Sequence, residues 1–329
     1  AAKTAAKNNL KTLLLEEKTQ IGGSTIYQNS ENFKIDNKNS SEWLTNEINE
    51  LKKLDNLEIK TRTSVAAYHG YNYLLARENL TDHLSPSEKK DKIRQRLLKI
   101  RAKKVIVATG SLERPLIFNN NDRPGIMLSS AVKKYADHYG VICGKKNVFF
   151  TNNDSAYESA ISLHKKGIQV QAIIDIRENS KSAIVNEAIN LGIKIYWSHT
   201  VVDTYGYKKL HKISLMELSN DGQSTIGSKI NIDCDCLGVS GGWTPAVHLF
   251  TQSGGKLKFR DEDEVFIPNI YPSKQISIGS CNGDFTLNEI IKNSSNSLKE
   301  FLEIENTEYE NLNIINSIET DKRNIWLLP

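Results

Sequence analysis

The stretch "KKVIVATGSLERPLIF", residues 103–118, joins a short apolar strand to Thr109 and Gly110 and then to a loop bearing Arg114. A strand ending in Thr-Gly at the carboxyl edge of a parallel sheet can bring its main chain close to a nucleotide, because a larger side chain than glycine's would crowd the ligand. "QISIGSCNGDFTLNEII", residues 275–291, reads as strand, tight turn and helix, and offers turn N–H groups to an anion around Gly279, Ser280 and Gly283. "LKTLLLEEKTQIGGS", residues 10–24, ends a buried strand in Glu16 and Glu17 and turns at Gly22, Gly23 and Ser24. In a doubly wound fold an acid at the end of the second strand accepts bonds from ribose hydroxyls, the role open to Glu16 or Glu17. Arg114 could face a phosphate.

These residues point to binding rather than bond breaking. No Ser-His-Asp set, His-Cys cluster or carboxylate pair stands out, the 7 His residues are scattered, and no catalytic residue or metal ligand is assigned. His248 is read as a core or interface histidine. Cys143, Cys234, Cys236 and Cys281 include no C-x-x-C pair that would hold a metal or a redox disulfide. Cys234 and Cys236, two apart, are expected to share one face of a strand as packing residues.

The 43 basic and 39 acidic residues are mixed along the chain and leave a formal charge of +4, which gives no field suited to nucleic acid. No apolar run is long enough to span a bilayer, so no membrane partner is expected. Unpaired cysteines fit a reducing cytoplasm.

The elements that must position the candidate residues follow from periodicity. At 329 residues the chain is expected to form two domains. A helix over 1–9, a strand ending in Glu16–Glu17, an amphipathic helix over 41–54 and strands within 57–79 and 98–108 make a first unit with a small antiparallel layer. The G-x-G-x-x-G turn of a dinucleotide-binding unit is absent, and the chain is expected to begin beyond the strand that would carry it. A second βαβ unit starts at Asn147, but its first turn is "TNNDSAYES", which is sterically poorer for a pyrophosphate. Asp175 and Arg177 in "IIDIRE" are expected at a solvated strand end.

Taken together, "LLLEEKTQIGGS", "RAKKVIVATGSLERPLIF", "NDRPGIMLSSAVKKYADHYGV", "NNDSAY", "IIDIRE", "SGGWTPAVHLF" and "GSCNGD" resemble, in the same order, the alpha-subunit family of heterotetrameric sarcosine oxidases. The resemblance implies an α/β fold of two Rossmann-like FAD/NAD(P)-binding lobes with parallel sheets, the second inserted in the first. It implies a dinucleotide-binding lobe from 1–118 plus 264–304, an inserted degenerate lobe at 119–263, and a linker at 305–329 toward an aminomethyltransferase-like folate domain. It also implies NAD in this chain, FMN at the interface with a beta subunit, FAD in that beta subunit, tetrahydrofolate in the C-terminal domain, and gamma and delta subunits as further partners. The implied reaction is oxidation of sarcosine by oxygen to glycine, hydrogen peroxide and a one-carbon unit taken by tetrahydrofolate.

The sequence departs from flavin-binding reductases of this fold at one telling place. They put an acid after the strand-ending glycine, where Gly279 is followed here by Ser280. A serine cannot give a charged acceptor to a ribityl chain, so FAD in this lobe is disfavoured unless the turn returns Asp284 to the site. Two rivals remain open: an FAD-bearing subunit of an opine or other amine dehydrogenase, and a structural subunit with no nucleotide.

Overall fold

The computed structural model describes residues 1–27, 34–305, 307, 309, 312–315 and 321–329. The chain forms two compact units, Ala1–Ser111 with Pro245–Ser317, and Leu112–Thr244 with Ile318–Pro329. The crossings fall earlier than the positions 118 and 264 expected from sequence, for packing reasons. Leu116 and Phe118 are buried in the second unit's core, whereas Leu249 packs with Tyr68, Val107 and Cys281 in the first. Residues at the end of the chain, expected as a linker, also join the second core, with Leu328 buried there beside Ile325 and Trp326.

The first leg runs α1 (Ala2–Lys7), β1 (Thr12–Leu15), a 3-10 turn (Gly23–Tyr27), β2 (Lys34–Ile35), β3 (Lys38–Asn39), α2 (Ser40–Leu51), β4 (Leu57–Lys60), β5 (Thr63–His69), β6 (Tyr73–Asn79), α3 (Pro86–Lys89), β7 (Gln95–Arg101) and β8 (Val105–Val107). Asn39 starts α2 by accepting the Glu42 N–H through its side chain, a capping role the sequence had left unassigned. β5, β6 and β7 form the expected antiparallel layer. β1 pairs in parallel with β4. It is less buried than expected, with Leu13 38% exposed, because among the described residues β4 is its one pairing strand.

The inserted leg holds β9 (Ser111–Glu113), β10 (Ile126–Leu128), α4 (Ser129–Tyr139), β11 (Asn147–Thr151), α5 (Ser155–Lys165), β12 (Val170–Asp175), α6 (Ala183–Asn190), β13 (Ile195–Trp197), β14 (His199–Tyr205), β15 (Lys212–Leu218), β16 (Thr225–Asp233), β17 (Cys236–Ser240) and β18 (Trp243–Pro245). Its parallel sheet has the order β10-β17-β11-β12-β13. Chain order reverses between β11 and β17, the switch point outside which open α/β sheets take their ligands. Successive residues of β11 serve opposite faces. Phe149 packs with Tyr157, Ala160 and Val185 under the helices, while Val148 and Phe150 pack with Val201, Ile213 and Leu215 under the antiparallel β14-β15-β16 sheet.

The return leg adds α7 (His248–Gln252), β19 (Lys256–Arg260), β20 (Val265–Ile270), β21 (Gln275–Ser277), a 3-10 turn (Gly279–Asn282), α8 (Leu287–Leu302) and β22 (Ile314–Ile315). β21 pairs in parallel with β8, so the first unit's parallel strands fall into two pairs. Helix α8, opened by a Thr286–Glu289 capping box, buries Leu298 and Leu302 with Ala5 of α1 against Ile106 and Ile276. The Asn56 amide donates to Ala6 O at 2.7 Å, tying α1 to the loop before β4 as well. No helix among the described residues is long and apolar enough to cross a membrane.

Candidate nucleotide site

The carboxyl ends of β8 and β21 bring Thr109, Gly110, Gly279, Ser280 and Gly283 into one cluster in the first unit. The Thr109 hydroxyl donates to Ala246 O at 2.8 Å, and Ala246 N donates back to Gly110 O at 3.0 Å. This reciprocal clamp fixes the turn after β8. Gly110 has φ +75°, and a Cβ built there would meet nothing within 4 Å. The glycine is required by backbone conformation, and the space beside it is open.

The turn after β21 is tightly built. Gly279 enters it at φ +69°, Gly283 leaves it in the left-handed region, and Asp284 N closes the loop onto Gly279 O at 3.4 Å. Gly283 has a packing role as well, since a Cβ there would stand 2.8 Å from Ile267 and 3.0 Å from the Arg260 guanidinium. Asp284 is 9% exposed. Its Oδ1 accepts from the Asn293 amide at 2.7 Å, its Oδ2 is buried without a hydrogen-bond partner, and burial raises its pKa above the ordinary carboxylate range. The Cys281 thiol donates to Val107 O and Ile278 O, and burial raises its pKa too, so it is a neutral packing group.

Glu16, Glu17, Gly22, Gly23 and Ser24 form a second cluster at the end of β1. Glu16 accepts the Lys18 N–H at 2.9 Å, making a local turn; Glu17 and Ser24 are exposed. Gly22, at φ +129°, is a contact glycine, since a Cβ would stand 2.5 Å from Leu44 of α2. Gly23, at φ +58°, has open space around it.

Arg114 belongs to the second unit, where its guanidinium lies 3.7 Å from the centre of the Trp326 ring and its N–H donates to Gly242 O. A cation–π stack on the chain's own indole accounts for its position.

In the second unit the degenerate turn is filled by side chains. Asn153 donates to Asn152 Oδ1 and Ser240 O, and Thr151 donates to Asn153 O. Asp175 and Arg177 correct the sequence expectation of a solvated strand end, being 0% and 4% exposed. Arg177 donates to Asp175 through Nε and Nη2 and to Asp154 through Nη1 at 2.8 Å, and Tyr157 donates to Asp175 at 2.7 Å. Burial pushes the Asp175 and Asp154 carboxyls upward against the opposing pull of Arg177. Against its own burial, the paired carboxylates raise Arg177 further, so it stays charged. The sequence gives one faint signal of this network, Asp154 and Tyr157 at helical i,i+3 spacing before Asp175-x-Arg177. One further partner of Arg177, Asp321 O, lies far along the chain.

The other thiols are inert. Cys234 and Cys236, expected on one strand face, are separated by a bend at Asp235 and enter different cores. Burial pushes each to about 12. His248, expected in a core or interface, is exposed at the start of α7.

With this geometry in view, likenesses to known proteins acquire meaning. The pyridine nucleotide-disulphide oxidoreductase family model matches residues 1–272. Sarcosine oxidase subunit alpha of Corynebacterium sp. (strain P-1) is 35% identical over 287 residues, covering 87% of this chain and 29% of that protein. The subunit of the same name from Rhizobium meliloti (strain 1021) is 31% identical over 273 residues, covering 81% of this chain and 25% of that protein. The chain thus spans less than a third of the length of these curated relatives. Among solved structures, L-proline dehydrogenase from P. horikoshii superposes with TM-score 0.65 at 19% identity over 97% of this chain and 57% of that one. Thioredoxin reductase of T. acidophilum superposes with TM-score 0.60 at 17% identity, over 86% of this chain and 87% of that one. At such identity these two show the fold alone, a Rossmann-like α/β fold with parallel sheets.

Proposed function

The chain belongs to the pyridine nucleotide-disulphide oxidoreductase family, and on that premise we propose that it is the nucleotide-holding region of a sarcosine oxidase alpha subunit. In this reading the first unit binds NAD as a resident nucleotide. FMN lies at the interface with a beta subunit, FAD in that subunit and tetrahydrofolate in a further domain, with gamma and delta subunits completing the complex. The whole assembly oxidises sarcosine with oxygen to glycine and hydrogen peroxide and passes the one-carbon unit to tetrahydrofolate.

The observation that carries the reading is the thiol inventory of the first unit. Cys281 is its one cysteine, and it is buried, neutral and bonded to main-chain oxygens. In this reading the unit holds its nucleotide without a dithiol beside it. The open space at Gly110 and Gly23 suits close main-chain approach to such a ligand. Glu16 and Glu17 would meet ribose hydroxyls, and Thr109, Gly110, Gly279, Ser280 and Gly283 would supply main chain and short side chains around the phosphates. NAD, when bound, is a hydride acceptor by its chemistry.

A second reading is favoured by Asp284 alone. Its buried Oδ2 has no donor, and a flavin ribityl hydroxyl would provide one, making the nucleotide FAD. The two readings part when the purified complex, with this chain inside its full-length subunit, is denatured and its released nucleotides are identified by chromatography and mass. About one NAD per chain, with FAD following the beta subunit, supports the first reading. FAD released from this subunit purified alone overturns it in favour of the second.

A further inference from the structure

Residues 321–328 cross the carboxyl edge of the second unit's parallel sheet and touch it at each strand end flanking the switch point. At the end of β11, Arg323 N donates to Asn152 O at 2.9 Å, and the Asn152 amide donates to Arg323 O at 3.0 Å and Ile325 O at 3.2 Å. Beyond β12, the Arg323 guanidinium donates to Ile176 O at 2.7 Å, and Arg177 donates to Asp321 O at 2.8 Å. Beyond β17, the Trp326 indole N–H donates to Gly241 O at 2.6 Å. The segment then runs parallel to Ile117, with Ile117 N on Trp326 O at 2.7 Å and Leu328 N on Ile117 O at 2.9 Å.

The donor pattern decides what kind of ligand this edge takes. The main-chain oxygens of Asn152, Ile176 and Gly241 are acceptors that need N–H groups, and a pyrophosphate, an acceptor throughout, supplies none. The Asn152 amide, a side-chain donor at this edge, is committed to two peptide carbonyls. Gly241 completes the fit, since a Cβ there would stand 2.8 Å from the Trp326 ring. We propose that residues 321–328 are the resident ligand of the second unit's switch-point crevice, a peptide of the chain itself bound where a doubly wound unit with a Gly-rich turn would bind a dinucleotide. The second unit is thereby a peptide-binding Rossmann unit. This proposal concerns the second unit only and stands whichever nucleotide the first unit holds.

Hydrogen exchange on the purified full-length subunit tests it, with millimolar NADH or NADPH as probes. The expected result is protection of the Ile117, Arg323 and Leu328 amides comparable to the ends of β11, unchanged by either nucleotide. Asn152→Asp, which turns the amide donor into an acceptor facing two carbonyls, is expected to accelerate exchange at Arg323 and Leu328 at least about tenfold while leaving Phe149 and Phe150 protected. The proposal is overturned if the wild-type segment exchanges like an unstructured tail. It is equally overturned if a nucleotide protects residues 152–156 while releasing 323–328. Protection by nucleotide confined to 109–110 and 279–284, with 323–328 unchanged, supports the proposal, since the nucleotide then bypasses the second unit's edge. Should the variant fail to fold, the wild-type exchange pattern decides alone.

Discussion

Gly110 and Gly241 each lie just beyond the carboxyl end of a parallel strand, and they have opposite surroundings. A Cβ at Gly110 would meet nothing within 4 Å, whereas one at Gly241 would lie within 3.0 Å of Trp326, Pro115 O and Arg114 O. The first unit keeps its strand-end glycine open at positive φ, as close approach by an outside ligand requires. The second uses its glycine to admit an indole of its own chain. The same sequence device, a strand followed by a glycine turn, leaves open space beside the glycine in one lobe and seats the chain's own indole against it in the other. What separates them is whether a distant segment of the chain supplies the missing donors.

The largest effect expected from breaking this contrast comes from the charges beneath the filled edge. Arg177→Met removes the one guanidinium bonded to both Asp154 and Asp175, leaving two buried carboxylates unpaired and Asp321 O without its donor. The expected loss is about 3–5 kcal/mol of stability, measured by denaturant unfolding at neutral pH. Since the raised carboxyls are protonated more readily in the folded state, the loss should shrink as pH falls toward the carboxylate range. A loss that is pH-independent and below about 1 kcal/mol would mean the network is not what holds the second unit's edge.

The glycine pair gives the next effect. Gly241→Ala is expected to cost about 1–3 kcal/mol through overpacking against Trp326 and two main-chain oxygens, and to loosen residues 321–328. Gly110→Ala is expected to cost about 1 kcal/mol, from backbone strain at positive φ, and to act instead on retained nucleotide, because its Cβ points into open space a ligand would share. Unfolding curves and nucleotide content measured on both variants check the pair. Nucleotide lost from Gly241→Ala and kept by Gly110→Ala would reverse the assignment of open and filled edges.

Much of this architecture was legible from residue pattern. The strand "NVFFT" is β11 residue for residue, the helix expected over 155–166 is α5, and the strands expected within 57–79 and 98–108 supply β5, β6 and most of β7 to the antiparallel layer, while β4 and β8 go to parallel pairs. The loop chemistry of "GSCNGD" appears as a 3-10 turn entered by Gly279 and left by Gly283. The illegible part was long-range. Asp175 and Arg177 look solvated because the partners that bury them are not local: Tyr157 lies 18 residues from Asp175, and Asp154 and Asp321 lie 23 and 144 residues from Arg177. Arg114 looks available to a phosphate because nothing local announces Trp326. Cys234 and Cys236 alternate as if on one strand, and only the main-chain bend at Asp235, whose carboxylate accepts the Lys145 and Lys146 N–H groups, sends them to different cores. Gly22 reads as a ligand-approach glycine, and its tight contact with Leu44 follows from where α2 packs.

The acidic groups at the two edges allow the smallest and sharpest comparison. Glu16 in the first unit is half-buried and turned onto the neighbouring Lys18 N–H, whereas Glu113 in the second is 8% exposed and accepts both the N–H and the hydroxyl of Ser130 at the start of α4. Burial raises the Glu113 pKa above its ordinary 4.5, with the Ser130 bonds opposing. A carboxyl whose folded pKa is raised binds its proton more tightly in the folded state. Its contribution to stability is therefore fully present below the unfolded pKa and lost as pH rises through the folded one. Glu113→Gln removes the titration while keeping an acceptor for Ser130. The stability of the natural protein relative to this variant should decline as pH is raised from 4 toward 7. Unfolding free energies at several pH values settle the sign. A difference that grows with pH would mean Glu113 is stabilised as a carboxylate by the first turn of α4.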